Sequence, residues 1–494
     1  MKILLISTER LSAMEDCVCA PLGIMYLASV AKQAGHKVKL INLRSIRSIN
    51  ETKQALIDSV EWKPDLIGLS ATSPYSSIFE TVALYFRREL PHAIIIGGGP
   101  HSTVDNHEIL IKGLVDICVL GEGEKTFMEL IERIKIKKSY ESIPGISYIA
   151  EGKVIEVPLS SYIENLDLLP FPAWEMIDLK QYKNFSGMAD YFRWSATILT
   201  SRGCPYKCIY CHNQFGKHFR ARSVRNVLDE IDLLYNNYGL RNFEFVDDIF
   251  NFNLARAKEI LKGIREKFEN IKIAFPNGLR ADILDEEIII LLKQAGCWHV
   301  SIPIETYSYR MQKIIKKNLD LQKVEEAIYL LKKHKIHTRG FLMIGLPDEK
   351  YDEIIDSMSS MLKRPLNYLL IFMATPFNKT ELQKKIEPIN YRKMIDYKET
   401  IDYRLGLSTT GNIPYKELEK IRSHYYRKGI LRFRNWKYWC SAALGLIKGG
   451  AFKRIGIILI SLSGLGKNCI KKAGINIRIQ EFEHFKRSLL ESLH

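Results

Sequence analysis

What most limits the fold of this chain is a rhythm. Short apolar, β-branched runs alternate with longer stretches of helical period, and the alternation occurs twice. Each strand then needs a crossover before the next can lie beside it in parallel, which points to parallel sheets covered by helices. In the first stretch the strands read as 2–7, 37–43, 65–70, 93–97 and 116–121, with a helix opening at Pro21 and stopping at Gly35. Residues 1–140 are therefore expected to form an α/β doubly wound, flavodoxin-like parallel sheet. In the second stretch, 191–385, strands read as 197–200, 242–246, 272–276, 299–304, 337–344 and 368–373, and the expectation is a partial (β/α)6 TIM-like barrel. Residues 141–190 hold a hairpin turning at Glu151-Gly152 and a Pro-rich connector, Leu168 to Trp174, apolar enough to pack rather than swing. Residues 386–494 read as a mainly α, basic and amphipathic C-terminal region.

Both architectures bind ligands beyond the carboxyl ends of their strands. The first barrel strand runs directly into Gly-Cys204-Pro-Tyr-Lys-Cys208-Ile-Tyr-Cys211, a C-x3-C-x2-C spacing made turn-prone by Gly203 and Pro205. Three thiolates so close in sequence can converge on one metal centre. Iron–sulfur clusters are usually held by four cysteines, so a set of three leaves one iron open to another molecule. A zinc site completed by His212 is the alternative, because Cys3His is an ordinary structural set. His212 adjoins Cys211, however, and adjacent residues reach one tetrahedral ion only with strain; no second Cys pair is present to build a finger.

With the strand before it and Tyr210 beside the last cysteine, this stretch resembles the radical S-adenosylmethionine (SAM) family. The resemblance implies that Cys204, Cys208 and Cys211 ligate a 4Fe–4S cluster and take part in reductive cleavage of SAM. It also implies a one-electron donor such as flavodoxin or ferredoxin. Strings similar to the family's follow on successive strand ends: Val-Asp247-Asp248, Asn277-Gly-Leu-Arg280, Ile-Glu305-Thr and Gly345-Leu-Pro-Asp. By that likeness Tyr210, Asp247, Asp248, Asn277, Arg280, Glu305 and Gly345 surround SAM. The acids at 247 and 248 would meet its amino group, and the Arg280 fork would match its carboxylate. Glu305 would accept from the ribose hydroxyls, and Gly345 would lie on the adenine side. Asn378-Lys379 stands where relatives usually carry Pro-Gly, a departure that leaves the turn after the sixth strand in doubt.

The first unit's strand ends are small or Gly-rich: Ser70 and Thr72, then Gly97-Gly98-Gly99-Pro-His101, then Glu122-Gly123. Backbone can approach a flat ligand closely at such positions. In this order the strings look like the cobalamin-binding domain often fused before a radical SAM core, which implies that these eight residues face cobalamin. The histidine-ligating relatives carry Asp-x-His-x-x-Gly after the first strand; here that loop reads Ser7 to Met14 without it. A doubly wound domain without a cofactor is the plainer alternative.

Nine cysteines, mostly scattered, and no signal-peptide pattern at Met1 lead to the expectation of a reducing cytoplasm. The net charge of +16 is uneven: residues 401–494 hold 18 Lys/Arg against 6 Asp/Glu, a difference of +12. Basic and aromatic residues there flank apolar runs, none of which reaches the ~18 residues of a membrane span. Peripheral contact with the inner membrane face is one reading of this tail, and a helical cap with a solvated basic face is the other. No nucleic-acid partner is expected, because long Ile/Leu runs do not suit one. The function expected is methylation, with cobalamin, of an unactivated carbon in a small-molecule substrate that is lipid- or isoprenoid-like. A cobalamin-associated radical cyclase or rearrangement enzyme is the alternative, and a non-catalytic cobalamin-binding protein ranks below both.

Overall fold

In the computed structural model, which describes residues 1–9, 18–46, 48–184, 187–189, 194–212, 214–386 and 413–430, the two rhythmic stretches form two units. The first comprises the described residues of 1–164 and 168–184, and the second those of 165–167 and from 187 onward.

The first unit is built around β1 (Lys2–Ser7), where Ile3, Leu4, Leu5 and Ile6 are all fully buried. Burial on both faces is what an interior parallel strand requires. With β2 (Lys37–Asn42), β3 (Leu66–Ser70), β4 (Ile94–Gly98) and β5 (Ile117–Val119) it forms a parallel sheet in the order β2-β1-β3-β4-β5. Leu4, Ile6, Ile67 and Leu69 pack with Phe79 and Phe86 on one face, and Ile3, Leu5, Leu66 and Ile96 with Phe127 and Leu130 on the other. This is the expected doubly wound, flavodoxin-like arrangement. The hairpin read between the domains, β6 (Ile146–Ala150) and β7 (Lys153–Val157), adds two antiparallel strands to this sheet. Its turn uses Glu151 at φ 49° and Gly152 at φ 74°, the doubly left-handed turn whose twist matches the strands. The Pro-rich connector packs on helix Leu22–Gln33. Ser29 Oγ donates to Phe171 O at 2.6 Å, Ala173 N to Met25 O at 3.2 Å, and Trp174 is buried.

In the second unit β8 (Ser195–Ile198) leads to a two-residue antiparallel pair, β9 (Ser201–Arg202) with β10 (Arg220–Ala221). Then follow β11 (Asn242–Phe245), β12 (Lys272–Phe275), β13 (Cys297–Glu305), β14 (His337–Ile344) and β15 (Tyr368–Met373). The sheet order β15-β14-β13-β12-β11-β8 is parallel throughout, with β8 and β15 at its two edges, as a partial (β/α)6 barrel requires. β8 ends two residues before the sequence pattern suggests, because the Thr200 N–H goes to a carboxylate, Asp247 Oδ1, rather than to the ladder. One layer of the sheet is polar. Arg339 donates to Ser301 Oγ (2.9 Å), Tyr368 OH (3.0 Å) and Pro276 O (3.1 Å), and Glu244 accepts from the N–H groups of Met188 and Ala189.

Of the C-terminal region, 386–494, the described residues are Ile386, the end of helix Glu381–Ile386, and 413–430, helical over Tyr415–Ile430. Tyr426 OH accepts from Ile371 N (2.9 Å) and donates to Ile371 O (3.2 Å), so the outer edge of β15 is satisfied by a side chain. The basic–aromatic stretch Arg422–Lys428, read as part of an interfacial surface, therefore turns Tyr425 and Tyr426 onto the barrel; Tyr425 is buried and meets Ser359 Oγ at 2.9 Å. Residues 431–494, which carry the rest of that reading, lie outside the described residues. No helix among the described residues is long and apolar enough to cross a membrane.

Candidate active site

The cysteine loop hangs from a buried carboxylate. Asp247 Oδ1, at the end of β11, accepts from Thr200 N (3.0 Å), Thr200 Oγ1 (2.8 Å) and Ser201 Oγ (2.5 Å). Arg256, which also feels the Asp247 charge, donates to Thr200 O at 2.7 Å. Hydrogen bonds to a charged group are worth about 1.5–3 kcal/mol each, offset here by the cost of burying the carboxylate. That burial raises the Asp247 pKa, and the two hydroxyls oppose it. Asp247 thus points down into the strand ends, and among the described residues its second oxygen has no hydrogen-bond partner. Its observed part is to hold the loop rather than to stand on an open rim.

Gly203 starts the loop at φ 82°, and a Cβ there would lie 2.1 Å from His218 O, so only glycine fits. Cys204 N donates to Gly216 O, Ile209 N to Ile315 O (3.1 Å), and Leu382 N to Ile209 O (2.8 Å). Ile209, between two of the cysteines, is buried with Ile315, Leu346 and Leu382 and anchors the loop. Cys204 and Cys208 are half-buried and Cys211 is exposed as a residue. Desolvation raises the Cys204 thiol, and it pushes Cys211 up to about 12, with Cys208 and Asp248 adding repulsion. The three thiols repel one another as thiolates, Lys217 offsets part of that repulsion, and the iron of a cluster would supply the further positive charge that three coexisting thiolates need. Among the described residues no three His, Cys, Asp or Glu side chains stand in a metal-holding arrangement. The His212 ring packs on Phe377, with centroids 5.0 Å apart.

Asp248 accepts from the Gly203 N–H and sits close enough to Cys204 and Cys211 to repel their thiolates. Desolvation first, then the Asp247 charge, raises its pKa. A cationic ammonium beside it would relieve both. Asn277 is exposed and ties two strand ends together, Nδ2 donating to Val246 O at 2.8 Å. Arg280 forms an ion pair with Asp282, Nη2 donating to Oδ2 at 3.0 Å and Nε lying 2.9 Å from Oδ1, donates to Lys317 O and Asn318 O, and stacks 3.8 Å from the Tyr206 ring. Its charge is thus matched within the protein, while Nε has no hydrogen-bond partner among the described residues. Glu305 is buried at φ 66° and receives the Lys317 ammonium at 3.0 Å. Lys317 also donates to Tyr210 OH at 3.2 Å. Gly345, at φ 80°, opens a turn closed by Glu349, whose Oε2 accepts from the N–H groups of Gly345 (2.8 Å) and Leu346 (3.1 Å). Lys317, Ile209, Asp282 and Glu349 escape a sequence reading: Lys317 stands in a Lys-Lys-Asn turn that looks solvated, and the others look like core or helix-flanking residues.

In the first unit the glycine run divides its labour. Cβ atoms at Gly97 and Gly99 would meet Ser102 Oγ at 2.8 Å and Ser70 Oγ at 2.5 Å, whereas one at Gly98 would meet nothing within 4 Å. Beside Gly98 lie the half-buried Ser70 and Thr72, with Thr72 N bonded to Glu9 Oε1. Small residues and open space at these carboxyl ends fit the approach of a flat macrocycle. Gly123 caps the next helix, with Leu27 3.5 Å from its would-be Cβ. His101 and Glu122 are turned into the protein: His101 Nδ1 pairs with Asp105 (2.9 Å), and Glu122 Oε2 accepts from Ile163 N (2.9 Å). Most of the loop after β1, residues 10–17, lies outside the described residues.

A doubly wound sheet and a partial parallel barrel whose first strand delivers three cysteines define a class, the two-unit enzymes that pair a cofactor-binding domain with an iron–sulfur radical core. Residues 198–361 match the Radical SAM superfamily and 17–131 the B12 binding domain. An uncharacterized methyltransferase of Pyrococcus horikoshii is 32% identical over 390 residues, covering 77% of this chain and 82% of the relative. The anaerobic magnesium-protoporphyrin IX monomethyl ester cyclase of Synechocystis is 27% identical over 393 residues, covering 77% and 76%. Among solved structures, the radical SAM methyltransferase TsrM of Kitasatospora setae, with cobalamin and a 4Fe–4S cluster bound, superposes with a TM-score of 0.66 at 19% identity, covering 78% of each chain. The chain belongs to the cobalamin-binding radical SAM enzymes, whose cofactors are a 4Fe–4S cluster, SAM and cobalamin.

Proposed function

We propose that this enzyme transfers a methyl group to an unactivated carbon of a small organic substrate. The observation that carries the reading is the convergence, at the strand ends of the barrel, of the cysteine loop, Asp248 and the hydrogen-bonded chain Tyr210–Lys317–Glu305, whose last two members are buried. When bound, the cluster and SAM supply a 5′-deoxyadenosyl radical and cobalamin supplies the methyl group. Cys204, Cys208 and Cys211 hold the cluster, and Asp247 fixes the strand end from which they hang. Asp248, exposed beside the cysteine loop, takes the SAM ammonium. Glu305 faces the ribose hydroxyls, Asn277 and Gly345 shape the walls, and the small residues around Gly98 admit cobalamin. Burial around Tyr210 and Ile209 keeps water from the reacting atoms.

A lipid or isoprenoid-like substrate, with the tail resting on the inner membrane face, is the finer reading. It rests on the basic and aromatic residues flanking apolar runs in 431–494. An acidic flavodoxin or ferredoxin is the expected electron source. The radical cyclase reading is favoured by relatives named for that activity, the Synechocystis protein among them. Incubation with methyl-labelled SAM decides between them: label in the product supports methyl transfer, and an unlabelled rearranged product sinks it.

A further inference from the structure

A buried lysine with no place in the motifs joins the residues of the candidate pocket. Lys317 is 8% exposed, and its ammonium reaches Glu305 Oε1 at 3.0 Å and Tyr210 OH at 3.2 Å. Its own carbonyl accepts from Arg280 Nη1 at 3.1 Å, and two residues earlier Ile315 O accepts from Ile209 N in the cysteine loop. The chain holds it there against backbone preference. Lys316 and Asn318 on either side have φ of 54° and 52°, and Glu305 opposite has φ of 66°, all in the left-handed region that L-residues rarely adopt. One buried residue enforces this arrangement, with its side chain on one strand end and its backbone carbonyl on the turn. Gln312 Nε2 donates to Ile304 O and Thr306 O, at 2.8 Å each, bracketing Glu305, while Gln312 O accepts from the N–H groups of Lys317 and Asn318. Its neighbour Lys316 makes an ordinary exposed pair with Glu381. Burying an ammonium is costly unless its partners are well placed, so a surface pair would serve stability as well or better.

We propose that Lys317 is a positioning residue for the cofactor pocket. Its ammonium fixes the Tyr210 hydroxyl beside the cysteine loop and the Glu305 carboxylate toward SAM, and it brings a fixed positive charge close to where the cluster accepts an electron. The proposal rests on the reading of the cysteine loop given above. A nearby cation favours the reduced, more negative cluster, and the surroundings of a cluster set its potential.

The test uses the full chain with its cluster reconstituted anaerobically, comparing wild type with K317M, K317Q and K317R. Iron content, the cluster's midpoint potential by EPR-monitored titration, and SAM affinity are measured. K317M is expected to keep wild-type iron content, to bind SAM about 10-fold more weakly, in the range usual for losing an outer-shell partner, and to show a more negative potential. K317R is expected to recover most of both. K317Q keeps a donor and loses the charge, so its potential falls while its SAM affinity falls less; it also yields a result if K317M does not fold. Wild-type potential and SAM affinity in the folded variants, with only melting temperature lowered, would overturn the proposal and leave Lys317 a structural ion pair. Absence of iron from the wild-type protein itself would instead overturn the reading of the cysteine loop.

Discussion

At the carboxyl end of β4 the chain offers Gly97, Gly98 and Gly99; at the ends of β11 and β13 it offers Asp247, Asp248 and Glu305. The first edge is made by removing side chains until backbone and hydroxyls remain. The second is made by placing charged side chains and then holding several of them with buried partners. Asp247 is locked by Thr200 and Ser201, Arg280 by Asp282, and Glu305 by Lys317. The difference fits what each edge is proposed to hold. A broad macrocycle needs room and a close backbone, whereas a cluster and a charged cosubstrate need fixed donors and counter-charges.

The sharpest break between the two edges comes from the thiols. Replacing Cys204, Cys208 or Cys211 with Ala is expected to abolish iron content and SAM cleavage while leaving cobalamin retention by the first unit intact, measured by iron assay and absorbance on one preparation. Loss of both together would mean that the two sites are not separable.

Glycine substitutions probe the same contrast at lower cost. Gly203→Ala puts a Cβ against a carbonyl at positive φ and should destabilise by at least about 2 kcal/mol, with iron retention falling alongside. Gly98→Leu, where a side chain meets open space, should leave melting unchanged yet reduce bound cobalamin. A Gly98→Leu protein that binds cobalamin normally would remove that glycine from the site.

Asp247→Asn tests whether the loop is held by charge. The asparagine oxygen can still accept, but Arg256 loses its counter-charge, so a loss of about 1–3 kcal/mol is expected in denaturant unfolding, with partial iron retention. Unchanged stability would assign the clamp to the hydroxyls alone.

The last contrast is one of pH. Burial holds the Glu349 carboxyl up at about 8, above its usual value near 4.5. Between those values the folded state keeps a proton that the unfolded chain has lost, so stability is fullest below the usual value and falls as pH rises toward 8. The slope is at most about 1.4 kcal/mol per pH unit, and Glu349→Gln should flatten it.

Much of the fold was legible because periodicity is local. The Glu151-Gly152 turn and the strands of both sheets lie close to where their patterns put them, and the C-x3-C-x2-C spacing is visible without any tertiary knowledge. The ends of elements were less so. β8 stops at Ile198 because a carboxylate some fifty residues away competes for the Thr200 N–H, and nothing near Thr200 announces that.

The sequence by itself determined the two α/β rhythms, the three thiols on the first barrel strand and the glycine run of the first unit, because each is a pattern of neighbours. Tertiary structure alone decided what the charged residues face. Arg280 turned to Asp282, His101 to Asp105 and Glu122 to the Ile163 N–H, while the unremarked Lys317 was drawn in to Glu305 and Tyr210. A buried charge must find its partner in space, and packing, not chain order, decides whether that partner is a near neighbour, as Asp282 is to Arg280, or a distant one, as Ile163 is to Glu122.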